Sequence, residues 1–342
     1  MQNKPIEFIP VFVVGNSRTG TSMMARILGN HEDVFALLHE LHFFEQMWSP
    51  ARKNKAIPEE EAVRIGARLL GILNEGYLTL RDYRAYAADS KGLIEGHGGK
   101  VTAETVFANF IEHIARKEGK RYVCEQTPRN LFYVREIAEV FPQSKFINMV
   151  RDPRDVLLSQ KKKWNVRYTG AKKYIPLSEA VRSWINYHPV TTSLLWKYSM
   201  RATEKLRGNP NTMVVKYEDV IENHGKEVKK VCDFIGIEYN EKLLEIPLVG
   251  SSLLKSALDR KGIIKRPVSR ELKGLNKTEI FLCQLIAGPM MRAYGYEPIR
   301  VLPNFFVLLL YMFLLPVKLS AAFMANLRRM DSICSAISKR LN

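Results

Sequence analysis

The sequence predicts an α/β fold of three layers, with a central, mostly parallel sheet and helices on both faces. Two apolar runs, one of Val11–Val14 and one of Phe146, Ile147, Met149 and Val150 around a single Asn148, each stop at a polar turn and pass into residues with helical spacing. A strand that is apolar at every position is buried on both faces, which is the condition of a parallel sheet covered by helices. Amphipathic helical stretches then alternate with the strand-like runs along the chain.

The first turn is the most informative. Residues 11–22 read VFVVGNSRTGTS. Gly15 and Gly20 bound a tight loop, and Met23, Met24, Ile27 and Leu28 open a helix after it. Backbone N–H groups in such a loop, backed by a helix N-terminus, form a cradle for phosphate. The cradle residues are Ser17, Arg18, Thr19, Gly20, Thr21 and Ser22. The glycine spacing is that of a nucleotide-binding P-loop, whose lysine reaches the β- and γ-phosphates. Here Thr21 stands at the lysine position and the cation is Arg18. An ordinary strand-to-helix turn with a surface arginine is the alternative.

Residues 145–160 read KFINMVRDPRDVLLSQ. The strand ends at Arg151, Pro153 opens a helix where its missing N–H does no harm, and Ser159 follows about two turns on. An arginine at a strand end and a serine on the next helix can grip one further phosphate through charge-assisted hydrogen bonds.

Together the two segments resemble the sulfotransferase family, which uses 3′-phosphoadenosine 5′-phosphosulfate (PAPS) and releases the bisphosphate PAP. The resemblance spans roughly residues 8–296. It implies that the 17–22 loop holds the 5′ end of the donor and that Arg151 and Ser159 hold the 3′-phosphate. Residues 39–45, HELHFFE, match the segment that carries the catalytic glutamate in members acting on glycans and proteins. Glu40 is therefore the expected base, with His42 as a neighbouring catalytic or acceptor-binding group and His39 as the runner-up base. The residue type suits the reaction, because the attacking hydroxyl must lose its proton to a group within hydrogen-bond reach. The resemblance also implies a single in-line displacement in which Arg18 and the loop amides offset charge on the leaving phosphate. No metal is required by that scheme.

One departure stands out. Family members with this glutamate commonly read Glu-Lys-[ST]-Pro before the second segment, and here Glu125-Gln126-Thr127-Pro128 has glutamine at the lysine position. Either Arg129 supplies the missing cation or the acceptor geometry differs. Two weaker features fit the family: residues 213–219, MVVKYED, as a later strand, and Arg260, Lys261 and Gly262 as the tripeptide that closes over the 3′-phosphate.

The remaining helices are read from periodicity and punctuation. Stretches at 59–74 and 102–117 are amphipathic, and 178–207 is divided by Pro189. A helix after Asn276 is capped with Glu279 three residues on and ends at Gly295. Residues 92–100 form a loop in which His97 is a loop residue rather than a ligand.

The chain has 52 basic and 35 acidic residues, a net charge of +17. That excess suits an anionic donor or acceptor, or an anionic membrane surface. Nucleic acid would account for it too, but no zinc-finger spacing, RNA-binding aromatic motif or long basic tail is present. The densest cluster, Lys161, Lys162, Lys163, Arg167, Lys172 and Lys173, directly follows the second phosphate segment. Its four cysteines are far apart, and Cys124 and Cys283 read as reduced core residues.

A catalytic unit over residues 1–298 and a tail over 299–342 is the expected division. The tail reads FFVLLLYMFLLPV over 305–317, with Arg328, Arg329, Lys339 and Arg340 beyond it. An apolar stretch trailed by cations suits a helix in the interface of an anionic membrane, with a tail anchor or a buried or dimer-forming helix as alternatives. The N-terminal residues carry no signal-peptide core, so a cytoplasmic enzyme, peripheral on the cytoplasmic membrane face, is expected. The acceptor hydroxyl would then be lipophilic, a lipid or sterol, and homodimerisation stays open. A P-loop kinase and a non-catalytic membrane-associated relative are the competing functions.

Overall fold

A computed structural model describes residues 7–95, 100–165, 176–247, 262–263 and 274–327. His97, Arg167, Lys172, Lys173, Arg260, Lys261, Arg328, Arg329, Cys334, Lys339 and Arg340 lie outside these residues.

Five parallel strands form one sheet: β1 (Ile9–Gly15), β2 (Val34–Ala36), β3 (Tyr122–Glu125), β4 (Lys145–Val150) and β5 (Thr212–Lys216). Their order is β2-β3-β1-β4-β5. The chain leaves β1 toward β3 on one side and returns to β4 on the other. The loop after β1 therefore lies where the strand order reverses, the crevice in which open α/β sheets bind ligands.

Alternate residues of β1 feed two cores, as the uniform apolar run predicts. Phe12 and Val14 point into one layer, where Phe12 stacks on Phe146 with ring centroids 5.6 Å apart. That layer contains α2 (Phe43–Gln46), α3 (Glu59–Glu75), α5 (Ala103–Glu118) and α6 (Val134–Val140); α4 (Ala87–Ile94) packs on α3 and α5. Val11 and Val13 point into the other layer, with α1 (Thr21–Leu28), α10 (Tyr217–Glu222) and α11 (His224–Ile235). A third cluster joins α7 (Pro153–Lys161), α9 (Pro189–Lys205) and α12 (Lys277–Ala293) through Val156, Trp196, Met200 and Met291.

Helix starts follow the sequence signals. Thr102 and Thr105 form a capping box at α5, and Asn276 and Glu279 form another at α12. Pro189 begins α9 and so separates it from α8 (Leu177–Ile185). The last helix among the described residues, α13 (Phe305–Asn326), is capped by Asn304 and buries none of its residues. Cys124, Cys232 and Cys283 are buried, and burial pushes each thiol above its ordinary range.

Candidate active site

The β1–α1 loop is built by backbone geometry that few residues adopt. Arg18 has φ 76° and Gly20 has φ 99°. A Cβ on Gly15 would lie 2.4 Å from the Met149 carbonyl oxygen, and one on Gly20 would lie 2.6 Å from the Tyr217 ring. Both positions thus require glycine, for space as well as for conformation. The buried Thr19 hydroxyl donates to the Asn16 carbonyl at 2.7 Å, which leaves only its backbone for a ligand. Thr21 is also buried, whereas Ser22 is exposed.

The two phosphate segments meet in space. Arg18 Nε donates to Ser159 Oγ at 3.0 Å, and Arg151 Nη1 donates to the Arg18 carbonyl at 3.2 Å. Arg151 is fixed from both sides: its guanidinium lies 4.2 Å from the centroid of the Tyr217 ring, and its carbonyl accepts from Trp196 Nε1 at 2.9 Å. Arg151 Nε is buried without a hydrogen-bond partner among the described residues. Burial, and then the neighbouring charge of Arg151, hold Arg18 below its usual range. Two crowded cations and an unsatisfied buried donor make a site that an anion stabilises.

The turn into α7 is rigid for a separate reason. Asp152 caps the helix through the Arg154 amide at 2.9 Å and takes the Arg154 side chain in a bidentate pair at 3.0 and 2.7 Å. Glu218 accepts from the Asp152 amide at 3.0 Å and from the Tyr296 hydroxyl at 3.0 Å. Tyr217 and Glu218 of the 213–219 segment are therefore braces for Arg151 and Asp152.

Glu40 faces the same cleft. Its side chain keeps 39% exposure, while the protein around it still desolvates the carboxylate. Glu40 and Arg18 lie within each other's electrostatic reach. His42 Nε2 lies 3.0 Å from Glu40 Oε2, and His42 Nδ1 lies 3.1 Å from Glu45 Oε2. Arg129 Nη1 in turn donates to Glu45 Oε1 at 2.7 Å. Burial works against the His42 proton, but hydrogen bonds to the two carboxylates outweigh it and raise the imidazole to about 10. Burial pushes Glu40 up while the His42 contact and the charges of His42, Lys163 and Arg129 draw it down, and the net direction is below the usual carboxylate range. At neutral pH, Glu40 is a carboxylate and His42 an imidazolium.

The strand-end segment after β3 positions this carboxylate. Glu125 is buried and accepts from the Thr127 hydroxyl, from the Thr127 amide at 3.1 Å and from Asn130 Nδ2 at 2.8 Å. Thr127 Oγ1 in turn accepts from the Leu41 amide at 3.0 Å, immediately after Glu40. Gln126 bridges the two halves of the cleft: it accepts from Ser22 Oγ at 3.0 Å and donates to the Leu38 carbonyl at 3.1 Å.

Arg129 is thus committed to Glu45. Lys163, in the turn Lys163–Asn165 after α7, is a further cation that interacts with Glu40. Lys163 is exposed at the surface, yet desolvation by the protein around it and the charges of Arg18, Arg182 and Arg129 draw its ammonium down to about 8 against the pull of Glu40. The charge run that follows the second phosphate segment does not by itself single out this lysine. Glu45 was equally hidden, since only the fold of α2 turns it toward His42.

The Gly262 amide donates to the Ile246 carbonyl at 2.8 Å, beside the layer that holds α1 and α11. Its predicted companions Arg260 and Lys261 are outside the described residues. His39 packs against Gly76, where a Cβ would lie 2.8 Å from the imidazole.

A sequence profile described as the sulfotransferase family matches residues 10–241, which contain both phosphate segments and Glu40. The chain belongs to the sulfotransferase family. Among curated relatives, nodulation protein NoeE of Sinorhizobium fredii is 21% identical over 84% of this chain and 65% of its own length. Sulfotransferase 2A6 of Rattus norvegicus is 30% identical over 41% of this chain and 47% of its own. The chain therefore spans less than two thirds of either relative. A solved sulfotransferase domain from the Synechococcus PCC 7002 olefin synthase shares 20% identity over 84% of this chain and 97% of its own, with a TM-score of 0.46.

Proposed function

We propose that this protein transfers a sulfuryl group from PAPS to the hydroxyl of a lipophilic acceptor, with Glu40 as the general base. The observation that supports this most is the convergence of Arg18, Ser159 and Arg151, with its unpaired buried Nε, on one side of a cleft whose other side carries Glu40. PAPS, when bound, supplies an activated sulfuryl group on a phosphate leaving group. The backbone amides of residues 17–22 and the Arg18 guanidinium would bind the 5′ end, and Arg151 and Ser159 would bind the 3′-phosphate. The buried donors of this cradle are aimed at anionic oxygens before the reaction begins, so little reorganisation is required.

Glu40 accepts the acceptor's proton. The His42 imidazolium, held by Glu45, keeps Glu40 oriented and ionised. Orientation costs some basicity, because a carboxylate drawn below its usual range is a weaker base. Arg18, with Lys163 near it, would offset the negative charge that builds on the leaving phosphate. Gln126, bonded to Ser22, brings neutral hydrogen bonding in place of a lysine.

The lipophilic acceptor and a position on the cytoplasmic face of a membrane rest on the apolar surface of α13. Purified protein incubated with PAPS, a chelator and a lipid extract should yield lipids heavier by one sulfuryl group. Absence of any such product, with glycan and peptide acceptors sulfated instead, would remove the lipid acceptor and leave the donor assignment standing.

A further inference from the structure

The exposed helix α13 has a polar side, and that side is already used. Asn304, Tyr311, Lys318 and Asn326 fall within a narrow arc at about 100° per residue. Each is bonded to the body of the protein. The Asn304 amide donates to Thr278 Oγ1 at 3.0 Å. The Tyr311 hydroxyl accepts from Asn276 Nδ2 at 3.2 Å, and its carbonyl lies 3.1 Å from His188 Nε2. Lys318 Nζ donates to the Trp184 carbonyl at 3.0 Å and lies 3.5 Å from the centroid of the Trp184 ring. Asn326 accepts from Arg182 Nη1 at 3.1 Å and donates to Asn186 Oδ1 at 2.9 Å.

The opposite side is apolar and open to solvent. Phe306, Phe313 and Met324 are 79%, 74% and 71% exposed. Neighbouring α8, packed against α13, adds Leu177, Val181 and Trp184, exposed and spaced for one helical face.

By length and composition α13 could cross a bilayer. Its contacts oppose that. From Tyr311 to Asn326 the helix runs along the protein for roughly 22 Å, at about 1.5 Å per residue. Its partners there include Arg182, ion-paired with Glu179, and Asn186. A crossing helix would carry this charged surface into hydrocarbon, at a cost of about 2.5–3.5 kcal/mol for each charged side chain near the centre. A helix bonded to its own domain along one side and apolar along the other fits the plane of a membrane surface.

We propose that α13 is an in-plane membrane anchor: its Asn304–Tyr311–Lys318–Asn326 side holds the protein, and its Phe306–Phe313–Met324 side enters one leaflet of an anionic bilayer. Charge complementarity selects the bilayer as the occupant. The chain carries +17, with Arg328 and Arg329 directly after the helix and Lys339 and Arg340 further along the sequence. The inference rests on the membrane reading above and fixes its geometry. Because α8 also packs against the turn that carries Lys163, the anchored side adjoins the Glu40 cleft.

Flotation of the purified full chain with phosphatidylglycerol–phosphatidylcholine vesicles tests this. The protein should float, more weakly in high salt or with phosphatidylcholine alone. The triple variant Phe306→Ser, Phe313→Ser, Met324→Ser should reduce the floated fraction at least about tenfold, since each side chain contributes about 1.5–3 kcal/mol when buried. PAP affinity of that variant should be unchanged, which reports that it is folded. An epitope after Asn342 should stay cleavable by external protease on sealed vesicles that carry the enzyme outside. A protected epitope would mean a crossing helix and overturn the proposal. So would undiminished flotation of the triple variant, or a wild-type dimer that does not bind vesicles and becomes monomeric in the variant. Flotation without sulfation of any lipid in the extract would support the anchor while removing the lipid acceptor.

Discussion

Arg18 Nε and Ser159 Oγ lie 3.0 Å apart, although 141 positions separate them in the chain. The bond ties the β1–α1 loop to α7, the two elements that follow neighbouring strands of the sheet. An arginine with φ 76° is held in a conformation that costs energy for a side-chain-bearing residue, so the loop is shaped against local preference. The strain places the Arg18 carbonyl within reach of Arg151.

Replacement of Arg151 by alanine should weaken PAP binding by roughly 10- to 150-fold, the range for losing a charged hydrogen bond of about 1.5–3 kcal/mol. Ser159→Ala should cost less, about fivefold, because Arg18 and Arg151 remain. Fluorescence or calorimetric titration with PAP separates these outcomes, and equal affinity in all three proteins would detach both residues from the donor.

Glu40→Gln should lower kcat by about 10²- to 10⁴-fold, the usual contribution of a positioned base, and leave PAP affinity within about twofold. The acid limb of the wild-type rate should lie below the ordinary carboxylate range, because His42 and its neighbours hold Glu40 down. A variant with near-normal kcat would assign the base elsewhere.

Lys163 is charged below about 8 and neutral above it. If its charge assists transfer, activity should fall as pH rises through that value. Lys163→Arg keeps the charge and should move the alkaline limb upward; Lys163→Gln should be slow at every pH. An alkaline limb identical in wild type and Lys163→Arg would exclude the lysine.

His42 titrates near 10 in the folded protein, above its ordinary value of 6.5. A raised folded pKa adds stability that is complete below about 6.5 and is lost as pH rises through about 10. Melting temperature should therefore decline across that window, and Glu45→Gln should reduce the decline by removing one of the two carboxylates. Thermal scans at several pH values measure it.

Asp152→Ala should destabilise the fold by about 3–5 kcal/mol, because it strands the buried Arg154 guanidinium and removes the cap of α7. Chemical denaturation would register the loss even in the absence of any ligand.

Much of this architecture was legible locally. The uniform apolar run at Val11–Val14 required burial on both faces, and the glycines at 15 and 20 stand where neighbours leave no room for a Cβ. Pro189 opens α9 at its first position, where the missing N–H does no harm, after a short break that ends α8. What was not legible is long-range. Glu45 reads as one more acid in a helical stretch until α2 turns it onto His42. Arg129 reads as a free cation until Glu45 claims it, and Lys163 is one of several adjacent lysines until the turn after α7 brings it beside Glu40. The one-sided polar bonding of α13 was equally hidden, since Tyr311, Lys318 and Asn326 acquire meaning only through His188, Trp184 and Asn186.

Calorimetric titration of the purified protein with PAP in the presence of a chelator tests the central claim most directly. The account predicts a single site that is lost or weakened at least about tenfold in Arg151→Ala and unaffected in Glu40→Gln. Absence of PAP binding in the wild-type protein, or binding indifferent to Arg18→Ala and Arg151→Ala together, would contradict it.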